Sequence, residues 1–335
     1  MSGKAITKAF MEQVSASARW RAAPLDASQA DLVRGLFAEC FGKPLSRALW
    51  EWKYGGGRGL ASGVWNERDE LVAHYGGFPR SVIDAGKTRS AVQIGDVMVR
   101  PAERGLMTRK GAFYQAVTHF LASHVGDAAA YPHAFGFPNR RAMTLGQRLG
   151  VYQPVGRIME LVWKPTAADG LPWLQRLVPL APEHDAARIA LLWQAMCRDL
   201  PDALIGVRDA ARIAQRYLNH PEHRYGVWLL QHRMTRRAIG LIVVRQHEDR
   251  LEWLDMVAPT AAWDECAQAV LFLARKLGLD RVTLWLTRPF HQHLQLPHQL
   301  NETDISIPCN SFTPGPSAES LRDRWLLMGG DTDFL

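Results

Sequence analysis

The chain changes hydrophobic rhythm along its length. From Gly63 to Phe78, GVWNERDELVAHYGGF sets two apolar runs either side of a polar tip at Asn66–Asp69, the pattern of a β-hairpin. SVIDAGKTRSAVQIGDVMV adds a second tip at Ala85–Gly86–Lys87 and a long strand ending at Val99. The period then lengthens: Phe113, Val117, Phe120 and Leu121 fall at helical spacing within Thr108–Val125. AAAYPHAFGFP, Ala128 to Pro138, predicts a strand. NRRAMTLGQRLG predicts a helix capped by Asn139 and stopped by Gly150. VYQPVGRIMELVW predicts a strand region broken at Pro154 and Gly156. Strands pair early and a helix then crosses to a parallel neighbour, so the layout is α+β with a mixed sheet, not doubly wound.

After KPTAADGLP, Lys164 to Pro172, which reads as a linker, the order partly recurs. Helical patterns cover Asp185–Leu200 and Asp209–Leu218, strands cover Tyr225–Leu230, Ala238–Arg245 and Leu251–Val257, and a helix over Trp263–Leu277 precedes a strand over Arg281–Leu286. The recurrence is an internal duplication carried by element order and hardly by residues. The expected division is a tail over 1–24, a first domain over 25–164, a linker over 165–178 and a second domain over 179–335.

Composition narrows the class. A length of 335 residues favours two domains, and 47% hydrophobic with 22% charged residues is ordinary for a water-soluble globular protein. No apolar run is long enough to span a membrane. The N-terminus is basic and lacks the apolar core of a secretory signal, and is read as an untidy tail rather than a transit peptide. Cys40, Cys197, Cys266 and Cys309 are far apart and form no CxxC pair, which points to a reducing compartment, the cytoplasm by default. The net charge of +7 favours anionic partners. The basic residues are spread along the chain with no aromatic-basic repeat, so nucleic acid is not the expected partner.

One stretch invites chemistry. GDVMVRPAERGLMTRKGAFYQAV runs from Gly95 through a strand, Pro101 and an Arg-Gly turn into a basic helix start. A helix N-terminus offers unpaired N–H groups and partial positive charge, and Gly105 lets the backbone approach a phosphate. Arg104, Arg109 and Lys110 add counter-charge. The plainer alternative is a strand-turn-helix with a solvated basic face. Elsewhere, GGGRG at Gly55–Gly59 lacks the Lys-Ser/Thr of a nucleotide loop and reads as a mobile loop. His291, His293, His298 and Cys309 match no familiar metal spacing, and no metal is expected. GGDTDF at Gly329–Phe334 reads as a solvated terminus.

VMVRPAERG, GFPNRRAMTLGQRLGVY (Gly136–Tyr152) and LWEWKY (Leu49–Tyr54) resemble the GNAT acyltransferase superfamily, and in particular its tandem members. The resemblance covers Leu25–Trp163 well and Pro182–Phe290 weakly. It implies two GNAT-like domains, each a mixed, mostly antiparallel twisted sheet flanked by helices. It also implies acetyl transfer from acetyl-CoA to an amine, on a small molecule or a protein, by direct attack. By carry-over, backbone at Met98 and Val99 would face the pantetheine arm and thioester. Amides of Arg104, Gly105, Leu106, Met107, Thr108, Arg109 and Lys110 would hold the pyrophosphate, and Asn139 would face the far wall of the slot.

The sequence also departs from that pattern. Met107 stands where the loop usually has a second small residue. Gly146 stands where many members carry a Tyr that protonates the leaving thiolate, which leaves Tyr152 and Thr144 as nearby hydroxyls. Asp96, with His74 and Tyr75 as alternatives, is the candidate general base. The matching loop of the second half, VAPTAAWDE, has no glycine and carries Asp264 and Glu265, so that domain is expected to bind no cofactor. Two other readings stay open: a non-catalytic acyl-CoA-binding or scaffold protein, and a relative of the aminoacyl-transferring enzymes with a tRNA-borne donor.

Overall fold

The computed structural model describes residues 19–105 and 108–332. The chain forms two compact units. The first takes the residues up to Arg80, then Ser90–Pro154 and Pro308–Ser320; the second takes Ser81–Arg89, Val155–Ile307 and the chain from Leu321.

The first unit is built on a sheet of β1 (Trp20–Pro24), β2 (Leu60–Asn66), β3 (Leu71–Asp84), β4 (Lys87–Val99) and β5 (His133–Phe135), in that spatial order. β1–β2 and β2–β3 are antiparallel, and β4–β5 is parallel. Both hairpin tips form where the sequence places them. The strand expected over Ala128–Pro138 shrinks to three residues, because the chain turns through Gly126–Ala129 (Ala129 N–H to Gly126 O, 3.0 Å) before it can extend. β1 was not expected; its five residues carry one buried side chain, Trp20, which is too little pattern to read.

Two helix pairs cover the faces of this sheet. On one, α1 (Ala30–Phe41) and α2 (Arg47–Tyr54) pack Val33, Leu36, Trp50 and Tyr54 against Phe78 and Met98. On the other, α3 (Ala112–His124) and α4 (Arg140–Leu149) pack Val117, Phe120, Leu121 and Met143 against Val72, Tyr75 and Val92. A fully buried Phe such as Phe120 contributes about 2–3 kcal/mol by burial alone. α4 starts at its Asn cap (Ala142 N–H to Asn139 Oδ1, 2.9 Å) and ends at Gly150 in the left-handed region, as the sequence predicts.

The second unit is a sheet in the order β13–β6–β12–β11–β10–β9–β7. Its members are β6 (Tyr152–Trp163), β7 (Gln175–Pro179), β9 (Gly226–His232), β10 (Ala238–Gln246), β11 (Leu251–Val257), β12 (Val282–Thr287) and β13 (Gln299–Asn310). β6 runs unbroken through Pro154 and Gly156, and β13 adds a further strand. Overlapping the end of the span expected as linker, Gln175–Pro179 is an edge strand on β9. α5 (Pro182–Asp199), the short α6 (Ala210–Ile213) with a π-turn to Leu218, and α7 (Trp263–Lys276) complete the layer. A small ladder joins β8 (Leu204–Gly206) to β14 (Trp325–Leu326) and to Val82–Ile83.

Candidate active site

β4 changes face part-way along. Val92 and Ile94 pack with α3 and α4, yet Asp96 and Met98, of the same parity, lie on the α1–α2 side. The inversion coincides with Asp96, whose φ of 49° puts it in the left-handed region. An extra residue in a strand re-aims the side chains beyond it, and Asp is among the few residues that tolerate this backbone.

Asp96 is thereby aimed at α2. Ser46 caps that helix (Leu49 N–H to Ser46 Oγ, 3.1 Å), so Lys53 and Tyr54 fall in its last turn, facing the sheet. Lys53 Nζ donates to Asp96 Oδ1 at 2.7 Å, and Tyr54 Oη donates to Oδ2 at 2.8 Å. Both members of the ion pair are buried. Burial by itself would raise the Asp96 pKa, but the Lys53 ammonium outweighs it and holds the carboxyl below its ordinary value, so Asp96 is ionised. Gly76 makes room for this group: a Cβ there would strike the Tyr54 hydroxyl and come within 2.8 Å of Gly95 O.

His74 completes the cluster. Its Nδ1 lies 2.7 Å from the backbone carbonyl of Asp96. A carbonyl can only accept, so Nδ1 carries the proton and Nε2 keeps its lone pair. Nε2 is buried and has no hydrogen-bond partner among the described residues. Burial lowers the His74 pKa below 6.5 although the Asp96 carbonyl and charge oppose the shift, so the ring is neutral at physiological pH.

Tyr152 lies on the other face of β3. Its hydroxyl meets that of Tyr75 at 2.6 Å, and burial raises the pKa of both. Tyr75 follows His74 in the strand and so points the opposite way. Asp96 and His74 thus come together, and Tyr152 is separate from them. Gly146 is explained here: a Cβ at that position would run into the Tyr152 ring. Gly146, where the resemblance leads one to expect a hydroxyl, is the seat of another tyrosine.

The parallel pairing of β4 with β5 stops at Gln93↔Phe135, and the rest of β4 parts from its neighbour. Arg100 donates its N–H to Val72 O at 2.8 Å, so by strand alternation the Val99 N–H points away from β3, towards the split. Met98 is buried among the α1–α2 side chains. Beyond the strand, Arg104 Nε folds back onto Val99 O at 2.8 Å, and Gly105, Thr108, Arg109 and Lys110 are exposed. Leu106 and Met107 lie outside the described residues. α3 starts with no side-chain cap at Gly111, so its first amides have no acceptor within the helix. Asn139 uses its side chain as the α4 cap. Lys53, Tyr54 and Gly76 were given no role by sequence reasoning; the available signal was a lysine set between Trp50 and Tyr54 on the apolar side of a short helix.

The second unit repeats the device. β11 carries a bulge at Leu254, since Val243 pairs with Asp255 and Val244 with Trp253. Asp255 then accepts from Tyr217 Oη at 2.6 Å and from Arg208 Nε at 2.8 Å, as Asp96 accepts from Tyr54 and Lys53. The parallel pairing of β11 with β12 stops at Trp253↔Leu284, again leaving a split. Here the chain itself fills it. Thr287 N–H donates to Leu327 O at 3.0 Å, Met328 bridges Leu286, and a Cβ on Gly330 would strike the Tyr217 hydroxyl and come within 3.0 Å of Leu254 O. Arg208 Nη2 holds Asp331 Oδ2 at 2.6 Å, and Arg216 Nε donates to Gly330 O at 3.0 Å. The expectation of a solvated terminus fails over Gly329–Thr332, because two buried arginines draw it into the sheet, and residues 333–334 lie outside the described residues. Asp264, at the first turn of α7, accepts from the Gln295 and Leu296 amides. Among the described residues no three His, Cys, Asp or Glu gather as a metal would need.

Residues 21–151 match the family model described as an acetyltransferase (GNAT) domain. Residues 21–151 are a GNAT domain. The fold of most of the chain is shared with solved structures at low identity. A probable N-acyltransferase from Enterococcus faecalis matches at 12% identity and TM-score 0.66, covering 86% of this chain and 72% of that one. A GCN5-related N-acetyltransferase from Kribbella flavida matches at 18% and 0.62, covering 86% and 70%. Saccharomyces cerevisiae N-myristoyltransferase with bound myristoyl-CoA matches at 12% and 0.53, covering 90% and 82%. No curated protein matches the chain by sequence. Residues 21–80 and 90–151 of the matched span lie in the first unit.

Proposed function

We propose that the protein is an acyl-CoA-dependent N-acyltransferase with one cofactor site, in the GNAT domain, and that the group transferred is acetyl. The observation that carries the reading is the split between β4 and β5, set beside the uncapped, basic start of α3. The pyrophosphate would be held by backbone amides from Arg104 to Lys110 and by the first turn of α3, with Arg104, Arg109 and Lys110 as counter-charge. The pantetheine arm would lie along β4 and bond the Val99 amide.

In this reading His74 takes the base role and Asp96 positions it. Both Asp96 oxygens already accept hydrogen bonds, whereas His74 Nε2 has a free lone pair. The acceptor nitrogen attacks the thioester carbonyl, the C–N bond forms and the C–S bond breaks. The amine proton passes to Nε2, and the CoA thiolate takes a proton from solvent or from Tyr152. Holding both reactants in one slot supplies much of the rate.

Free-thiol release from acetyl-CoA across a panel of amines tests the reaction. Thermal unfolding with acetyl-CoA, CoA and bulk tRNA tests the ligand: at about 100 times its dissociation constant a ligand stabilises by about 2.7 kcal/mol. Stabilisation by CoA species without thiol release would favour the acyl-CoA-binding scaffold. A salt-sensitive shift with tRNA alone would favour the aminoacyl-transfer reading.

A further inference from the structure

The two most exposed large apolar side chains among the described residues are Trp173, 73% exposed, and Met234, 71% exposed. They are 61 positions apart in sequence, yet one residue joins them. Arg233, next to Met234, donates from Nε to Trp173 O at 2.8 Å and from Nη2 to Gln175 O at 3.3 Å, and its own N–H bonds Leu174 O. Met234 sits on the tip of the β9–β10 hairpin, and Trp173 leads into β7, the edge strand beside it.

The tip is strongly cationic. Arg233, Arg236 and Arg237 are all exposed, and the residues from Gln231 to Ala238 include no acid. None of the three arginines forms an ion pair among the described residues; Arg233 donates to carbonyls instead. Acids on neighbouring segments are otherwise engaged: Asp169 accepts from its own turn at Thr166, Glu265 accepts from the Gln175 amide, and Asp185 accepts from Arg188. Arg236 holds a left-handed φ of 58°, and Arg236 N–H to His232 O at 2.9 Å closes the tip.

We infer that this tip is a docking surface for an anionic lipid bilayer. A protruding Trp and Met have no use for water, and both suit the boundary between headgroup and hydrocarbon. Guanidinium groups around them meet the anionic headgroups. Among the described residues the tip offers a single exposed aromatic side chain, Trp173, whereas single-stranded nucleic acid is tracked by a groove with successive stacking platforms. No helix among the described residues is long and apolar enough to cross a membrane, so the contact would be peripheral.

The test is co-sedimentation of the full chain with vesicles of phosphatidylcholine, alone or mixed with phosphatidylglycerol, at low and high salt. The chain should bind the mixed vesicles and lose them as salt rises. Replacing Arg236→Gln and Arg237→Gln together should weaken partition about thirtyfold, at about fivefold per charge. Trp173→Ala should weaken it about tenfold and leave the salt dependence unchanged. Arg233 stays intact in both variants because it holds the tip together, and both should keep the wild-type melting temperature. Equal binding to neutral vesicles, no binding to mixed vesicles, or variants that bind like wild type would overturn the inference. So would capture of a single-stranded oligonucleotide with the same sensitivity to both variants while vesicles stay unbound.

Discussion

The two units begin from one arrangement and finish differently. Each bulges a strand beside an aspartate, ties that aspartate to a tyrosine and a cation, and lets the strand part from its parallel neighbour. In the GNAT domain the parting is bordered by a histidine with a free lone pair and a basic helix start. In the second unit it is filled by Leu327–Asp331. The shared part is therefore a device for opening a strand pair. Chemistry depends on what is, or is not, put into the gap.

That contrast can be broken from either side. The largest effect is expected from Arg208→Leu, which strands Asp255 and Asp331 as buried charges; unfolding in urea should show a loss of about 3–5 kcal/mol. On the GNAT side, His74→Gln should lower kcat/KM about 10²- to 10⁴-fold with little change in melting temperature. The wild-type acid limb should have its midpoint below 6.5, because burial depresses the His74 pKa and the base works only when neutral; the limb should vanish in the variant. The same depressed pKa costs stability in acid: it costs nothing at neutral pH, and stability falls as pH drops below 6.5, where the unfolded chain takes up the proton first.

Smaller effects sharpen the comparison. Gly330→Val should cost about 1–3 kcal/mol and raise amide exchange in Leu327–Asp331, because Leu254 O cannot move aside as a flexible side chain would. If exchange there stayed at the wild-type rate, the segment would not be seated in the gap. The smallest effect belongs to Tyr152→Phe, which leaves the buried Tyr75 hydroxyl without its partner and should cost about 1–2 kcal/mol. A rate loss beyond about tenfold in that variant would argue that Tyr152 also delivers a proton.

Much of the frame is legible in the sequence because it rests on local pattern. The hairpin tips at Asn66–Asp69 and Ala85–Lys87, the Asn139 cap and the Gly150 stop each act within a few residues. The unexpected features involve long-range partners. Lys53 and Asp96 are 43 positions apart, and Arg208 and Asp331 are 123 apart; neither pairing leaves a trace in periodicity. Gly146 was read as a missing hydroxyl. It could not be read as the bed of Tyr152 without knowing that β6 starts beneath α4. Pro154 and Gly156 read as breaks in the sequence, yet a ladder with β12 along Ile158–Trp163 carries the strand on. The solvated reading fails over Gly329–Thr332 because the composition there is polar, and only the arginines of another helix and loop make burial favourable.

Neither unit is a continuous stretch of chain. The first needs Pro308–Ser320 to be whole, and the second needs Ser81–Arg89. No single cut in the gene can therefore release both as intact fragments. A fragment ending at Pro154 lacks Phe312 and Thr313, whose side chains meet Tyr114 and the Val125 carbonyl. A fragment starting at Val155 loses Asp84, the partner of Arg324, together with the strand end that pairs with β8. The GNAT domain will have to be studied within the full chain, or rebuilt with its borrowed segment spliced back in.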